Sequence, residues 1–311
     1  MADIVLVHGI AQEQRGAATL ESEWLPAIAD GLRAASHPDL ATRVWPVTGS
    51  TERITAEMAF YGDLFLEPGT MGTTDTVPPA GEGRDLAEAI AQEWLRHGAE
   101  RVNPDQQAAT TQLSYLQPEG HEEQGPIQEA QRSALNALAR LRWFAPLGMR
   151  FAGKFVNQTL SQVTAYLTDE TIRDEIQGRV AALIGPDTKA ILGHSLGSVV
   201  AYEAAHRLSH PIPLLLTIGS PLGLRTIVFN KVRPQPPGYP PQVRRWVNIA
   251  DRNDLVAAEP DLRPQFGEPP PGCTFDAAWT VVNGAKPHDG SFYLSKKQTG
   301  IPLAQALTEP L

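Results

Sequence analysis

The sequence holds a single cysteine, Cys273, which excludes an intramolecular disulfide framework and any cysteine-rich metal site. Cationic residues are also in deficit. The 26 Lys and Arg against 35 Asp and Glu give a formal net charge of -9, whereas a protein that displaces phosphate counterions needs clustered positive charge. Nucleic acid is therefore not an expected partner. Long apolar runs are missing as well. The longest, around residues 212–218, falls far short of the roughly 18 residues that suggest a membrane span. The first apolar run, 4–7, follows Asp3 with no basic residue ahead of it. It is too short for the apolar region of a secretion signal, and the expected location is the cytoplasm. No metal-ligand spacing stands out, and neither a metal nor an organic cofactor is implied.

What the chain does have is material for a packed core, 42% hydrophobic residues in 311, and a recurrent alternation of pattern. Residues 3–9, Asp-Ile-Val-Leu-Val-His-Gly, are a β-branched run that ends in glycine and predicts a buried parallel strand. Leu25, Ile28 and Leu32 have helical spacing, residues 42–47 return to β-type residues, and a third extended segment is expected near 59–65. Later, Ile172, Ile176, Val180 and Leu183 predict an amphipathic helix leading into a strand over 189–192. A helix over 199–208 and strands over 214–218 and 243–249 follow, then a last apolar segment over 278–282. Proline-rich stretches at 233–241 and 268–272 read as loops. Strands alternating with helices predict an α/β fold with a mostly parallel sheet covered on both faces.

Between residues 68 and 162 the strand signal lapses. Leu86, Ile90 and Trp94, then Leu135, Leu138 and Leu141, carry helical spacing. Trp143, Phe144, Leu147, Met149, Phe151, Phe155 and Val156 make the richest aromatic and apolar stretch in the chain. Residues 68–162 are therefore expected to form a helical insertion, a candidate cap or lid, within a core built from 1–67 and 163–311.

Gly193-His194-Ser195-Leu196-Gly197 matches G-x-S-x-G. In a chain of this length the bare pattern arises by chance on the order of 0.1 times, and its setting between an apolar strand and a helix narrows it further. At such an elbow a strained turn exposes the serine hydroxyl, glycines relieve close backbone approaches, and the following helix directs N–H groups at developing negative charge. A serine hydroxyl needs a neighbouring base to take its proton. Where an elbow carries the nucleophile, the acid and then the base come later along the chain. Of eight histidines only His288 lies beyond the strand at 243–249, in the polar turn Pro287-His288-Asp289-Gly290. His194 is expected to pack within the elbow, and His206 and His210 to share a helix face without a third ligand.

The acid that orients the base should come directly after that same strand. Asp251 and Asp254 both lie there, in Ala-Asp-Arg-Asn-Asp-Leu-Val-Ala. Asp254 is preferred because it precedes an apolar pair that can anchor it; Asp251 would then brace the turn. Two backbone N–H groups are needed for an oxyanion. Leu196, after the serine, is one expected donor, and Ile10 is the other, with Ala11 in reserve, in the loop after His8-Gly9.

At these residues the sequence resembles the α/β-hydrolase superfamily, in particular its lipase-like and esterase-like members. Val-Leu-Val-His-Gly resembles the oxyanion segment, Ile-Leu-Gly-His-Ser-Leu-Gly-Ser the nucleophile elbow, and Thr-Ile-Gly-Ser-Pro-Leu-Gly the segment after the next strand. Val-Asn-Ile-Ala-Asp-Arg-Asn-Asp-Leu-Val is similar to the acid loop, where the aspartate before the apolar pair is catalytic; this favours Asp254. The resemblance spans most of the chain outside 68–162. Two departures stand out: with the His-Gly strand at residues 3–9, the leading antiparallel strands of many members are not expected and the sheet is expected to be reduced at the N-terminus, and the insertion precedes the nucleophile. The implied activity is hydrolysis of a carboxylic ester or thioester, with a small-molecule substrate whose acyl part is hydrophobic. An acyltransferase or cyclising thioesterase with the same triad is one alternative, and a non-catalytic ligand-binding module is another.

Overall fold

The computed structural model describes residues 1–46, 52–66, 82–100, 105–116, 134–138, 140–141, 149–257 and 259–309. The chain divides into two compact units, Met1–Leu66 with Thr171–Leu311, and Glu67–Glu170. The first is an α/β unit built on six strands: β1 Ile4–Val7, β2 Ala56–Ala59, β3 Ala190–His194, β4 Ile212–Ile218, β5 Val243–Asp251 and β6 Thr274–Val281. They form one sheet in the order β2-β1-β3-β4-β5-β6, and every pairing is parallel. The central strands β1 and β4 are buried at every position. That is why they read as continuous apolar runs instead of alternating ones.

Alternate strand residues point to opposite faces. Ile4, Leu6, Leu192, Leu216 and Ile249 share one apolar cluster with helices α1 Ala17–Ala34 and α2 Pro38–Val44. On the other face Trp246 of β5 packs against Tyr202 of a helix that comes after β3, ring centroids 5.5 Å apart.

In the second unit the described residues contain no strand. They form α3 Glu82–Glu100, α4 Gln106–Leu116, α5 Ala134–Leu138 and α6 Met149–Thr168. Leu86, Ile90 and Trp94 lie buried along α3, and Leu135, Leu138 and Leu141 are buried as well. The Glu88 carboxylate accepts the Ala134 N–H at 2.7 Å, tying α3 to the start of α5. Of the aromatic and apolar stretch at 143–156, Met149, Phe151, Phe155 and Val156 fall on α6, and Trp143, Phe144 and Leu147 lie outside the described residues.

The remaining helices return to the α/β unit: α7 Glu170–Leu183, α8 Leu196–His206, α9 Arg225–Asn230, α10 Arg263–Phe266, α11 Gly290–Leu294 and α12 Lys297–Thr308. Helix α12 joins α1 in the apolar cluster through Leu303 and Ala304. Helix α7 is joined to α8 by Gln177, whose amide donates to the Val200 carbonyl at 3.0 Å. A buried ion pair adds a second link, Arg173 to Glu203 at 3.6 Å.

Three local expectations are corrected. Residues 42–44, read as the start of a strand, end helix α2, because Pro38 in its first turn preorganises a helix over this short segment. The extended segment expected near 59–65 is displaced: β2 ends at Ala59, and Gly62–Phe65 form a 3-10 turn. His210 is not on the helix of His206, since α8 ends there; its ring lies 2.8 Å from the Gly185 carbonyl oxygen instead. Among the described residues no helix is long and apolar enough to cross a membrane.

Candidate active site

The strand order reverses about β1. From β1 the chain goes to β2 on one side, and β3 lies on the other. The connections leaving β1 and β3 therefore turn to opposite faces, the arrangement at which open parallel sheets bind ligands beyond the carboxyl ends of their strands. Ser195 stands at that point, between the end of β3 and the first residue of α8.

Its backbone is strained. Ser195 has φ 56° and ψ −131°, a conformation that costs a residue with a side chain roughly 1–3 kcal/mol and persists only where surrounding bonds enforce it. Those bonds are present. The Ser195 N–H donates to Ile218 O at 3.2 Å, and its carbonyl accepts the Ser198 N–H at 2.9 Å. Ser198 Oγ lies 2.6 Å from that carbonyl and 2.7 Å from Ser220 Oγ. A hydroxyl has one proton to give, so Ser198 donates to the carbonyl and Ser220 donates to Ser198. Glycine makes room for the turn: a Cβ on Gly197 would run into the carbonyls of Val7 and His8, and one on Gly9 would sit 2.7 Å from Ser195 Cβ.

His288 reaches the serine from the loop after β6. Its Nε2 lies 3.0 Å from Ser195 Oγ and its Nδ1 lies 2.8 Å from Asp254 Oδ2. The carboxylate can only accept, which puts the proton on Nδ1 and leaves the Nε2 lone pair to accept the serine O–H. Asp254 is wholly buried and His288 partly exposed. The Asp254 Oδ1 oxygen accepts the N–H groups of Val256 at 2.9 Å and Ala257 at 3.4 Å. Of the two competing aspartates, Asp254 is the one in contact with His288. Asp251 holds the loop, with Oδ1 accepting Asn253 N–H at 2.8 Å and Oδ2 accepting Asn283 N–H.

The expected oxyanion donors flank the serine. Leu196 is the first residue of α8, so its N–H has no acceptor within the helix. Ile10 comes directly after Gly9, whose hypothetical Cβ would be 3.2 Å from Ser195 Oγ. Ala11, the reserve, has a left-handed backbone with φ 57°.

Two histidines beside the serine are held neutral. His194 is pushed down to about 3 by burial, with the neighbouring His288 adding to the effect. Its Nε2–H donates to the His288 carbonyl at 2.9 Å, and the two rings lie 4.7 Å apart. His194 thus packs in the elbow and also ties the strand that carries the serine to the backbone of His288. His8 is pushed down to about 4, again mainly by burial. Its Nε2 accepts the Tyr61 N–H at 3.1 Å, which leaves the proton on Nδ1, 2.6 Å from Gly9 O. The Tyr61 hydroxyl donates to His8 O, and Arg179, paired with Asp63 at 2.5 Å, donates to Phe60 O at 3.0 Å and anchors the segment bearing Tyr61.

Sequence reasoning did not find the His194 and Tyr61 contacts or Tyr293, whose hydroxyl donates to Asp254 Oδ2 at 2.9 Å. The only available signal was the polar identity of the residue before Ser195. Among the described residues no group of three His, Cys, Asp or Glu is gathered as metal ligands. Comparison of the chain with family models, with curated proteins and with solved structures finds no match.

Proposed function

We propose that the protein is a serine hydrolase of the α/β-hydrolase type that cleaves a carboxylic ester. The observation that carries the reading is the continuous hydrogen-bonded chain from Ser195 Oγ through His288 to Asp254, set on a strained serine at the switch point of a parallel sheet. Strain at a polar residue with a base in contact is the arrangement that nucleophilic catalysis requires.

In this reading Ser195 Oγ attacks the ester carbonyl carbon while His288 Nε2 takes the hydroxyl proton. The carbonyl electrons move onto oxygen, and the N–H groups of Leu196 and Ile10 receive the oxyanion. Collapse expels the alcohol, which takes the proton back from His288 and leaves an acyl-serine. Water then attacks, His288 again acting as base, and the carboxylic acid leaves with Ser195 restored. Asp254 keeps the base in its Nδ1–H tautomer and stabilises the imidazolium formed in each half.

The reading extends to a hydrophobic acyl substrate, to the helical insertion as a lid over it, and to a cytoplasmic location. The apolar residues of 143–156 support the first two. Limited proteolysis across 68–162, with and without a long-chain substrate analogue, tests the lid; unchanged cutting at an occupied site counts against it. The primary test is labelling by a fluorophosphonate, then turnover of p-nitrophenyl esters of increasing chain length. Wild type should label and turn over, and folded Ser195→Ala and His288→Ala should do neither. A folded wild type that neither labels nor hydrolyses any ester overturns the assignment.

A further inference from the structure

Tyr293 lies five residues beyond His288, on α11, and is fully buried. Its hydroxyl lies 2.7 Å from the Asp251 backbone nitrogen and 2.9 Å from Asp254 Oδ2. An N–H can only donate, so the hydroxyl accepts from Asp251 and its own proton goes to the Asp254 carboxylate. Burial and the charge of Asp254 hold this phenol far above its ordinary ionisation range, so the donor is permanent. The backbone of Tyr293 is held by Thr299, whose hydroxyl donates to the Tyr293 carbonyl at 2.8 Å.

Asp254 therefore accepts four hydrogen bonds, two backbone N–H groups at Oδ1 and the Tyr293 hydroxyl and His288 ring at Oδ2. The donors at Oδ1 fix one corner of the carboxylate and leave the other free to swing. A donor on a rigid ring at Oδ2 removes that freedom. We propose that Tyr293 is a positioning residue that holds Asp254 Oδ2 in place for the His288 Nδ1–H, so that one short segment, 288–293, carries both the base and the group that orients the base's partner. The role rests on the hydrolase reading for its purpose, but the geometry it asserts can be measured without turnover.

The test is Tyr293→Phe, which keeps the ring and deletes the donor. Wild type and variant are compared by ester turnover and by the low-field proton NMR resonance of His288 Nδ1–H, assigned by its loss in His288→Gln. The expected result is a kcat lower by about tenfold or more, KM little changed, and the resonance displaced or broadened. An unmoved resonance overturns the proposal whether or not kcat falls, because lost activity would then come from destabilisation elsewhere. Should wild type hydrolyse no ester, the hydrolase reading fails by itself and the resonance still decides the role of Tyr293. If Tyr293→Phe does not fold, 3-fluorotyrosine in place of Tyr293, a stronger donor of nearly the same shape, should move the same resonance, and no movement overturns the proposal equally.

Discussion

Replacing Asp254 by asparagine would change one atom, and the consequences can be worked out from its four hydrogen bonds. Oδ1 faces the N–H groups of Val256 and Ala257, and Oδ2 faces His288 and Tyr293. Every partner is a donor, so an amide NH2 is wrong in either orientation. At Oδ1 it would meet two backbone N–H groups that cannot change their chemistry. At Oδ2 it would meet a hydroxyl that can rotate and an imidazole that can change tautomer, and this orientation should win. His288 would then carry its proton on Nε2, facing Ser195 Oγ with a donor where the serine proton needs an acceptor. In a triad of this kind the wrong tautomer costs about 10⁴ in kcat, or about 5.4 kcal/mol of transition-state stabilisation.

The fold should lose much less, about 1–3 kcal/mol for the mismatched donors, so a folded but inactive protein is expected from Asp254→Asn. Asp251→Asn is the matched control. It is equally buried and equally bonded to backbone N–H groups, but neither of its oxygens meets His288. It should destabilise by a similar amount, about 1–3 kcal/mol, and lower kcat by less than about tenfold. Turnover of a p-nitrophenyl ester, read beside thermal unfolding of both variants, checks this. Equal losses of activity in the two variants would refute the tautomer argument.

Three further outcomes are expected. Gly9→Ala should leave a folded protein weakened by about 1–3 kcal/mol from overpacking and should abolish fluorophosphonate labelling, because the new methyl would lie 2.7 Å from Ser195 Cβ and 3.2 Å from Ser195 Oγ; wild-type labelling would show that the loop after β1 yields. His194→Phe should lower kcat by about tenfold through loss of the donor to the His288 carbonyl, and His194→Gln, which can still donate, should recover part of it; equal activity in both would deny that the bond matters. Stability should fall on acidification from pH 7 to pH 4. His194 and His8, near 3 and 4 in the fold and 6.5 when unfolded, bind protons more readily in the unfolded chain throughout that window. Their contribution is complete above 6.5 and lost below it, by on the order of 3 kcal/mol each at pH 4. Urea unfolding at pH 7 and pH 4.5 of wild type and His8→Gln reads this, and equal pH dependence in the two would remove His8 from the account.

Much of the α/β unit was legible in the sequence because its strands are buried on both faces. Residues 4–7 and 212–218 are apolar at nearly every position, and such runs are recognisable without knowing their neighbours. Residues 42–44 misled for the opposite reason. Their β-branched character is local, whereas the helix there begins upstream at Pro38 and buries Leu40, Ala41 and Val44. The strand at 56–59 is short and half-exposed along its first two residues, so its limits were blurred by the apolar residues of the following turn. Proline and glycine marked the loops correctly because their constraint is intrinsic to one residue.

The candidate site divides along the same line. Ser195, His288 and the acid loop were readable from residue identity and chain order, and the choice between Asp251 and Asp254 turned on the apolar pair Leu255 and Val256, which stands next to Asp254 alone. His194 and Tyr293 were not readable, since their roles depend on where the chain brings residues some ninety and forty positions apart. What unites them is the strand order. Because β3 and β5 are separated only by β4, the loops that end β3 and β5 stand close enough for a residue from the end of the chain to bridge them. His288 makes that bridge with its side chain, to Ser195 on one side and Asp254 on the other. The same segment makes it once more, with the His288 carbonyl held by His194 at the end of β3 and Tyr293 held by Asp251 and Asp254 after β5. His288 is thus pinned at its backbone, its ring and its partner's carboxylate. On the hydrolase reading, preorganisation of that kind is what His288 needs in order to act as the base.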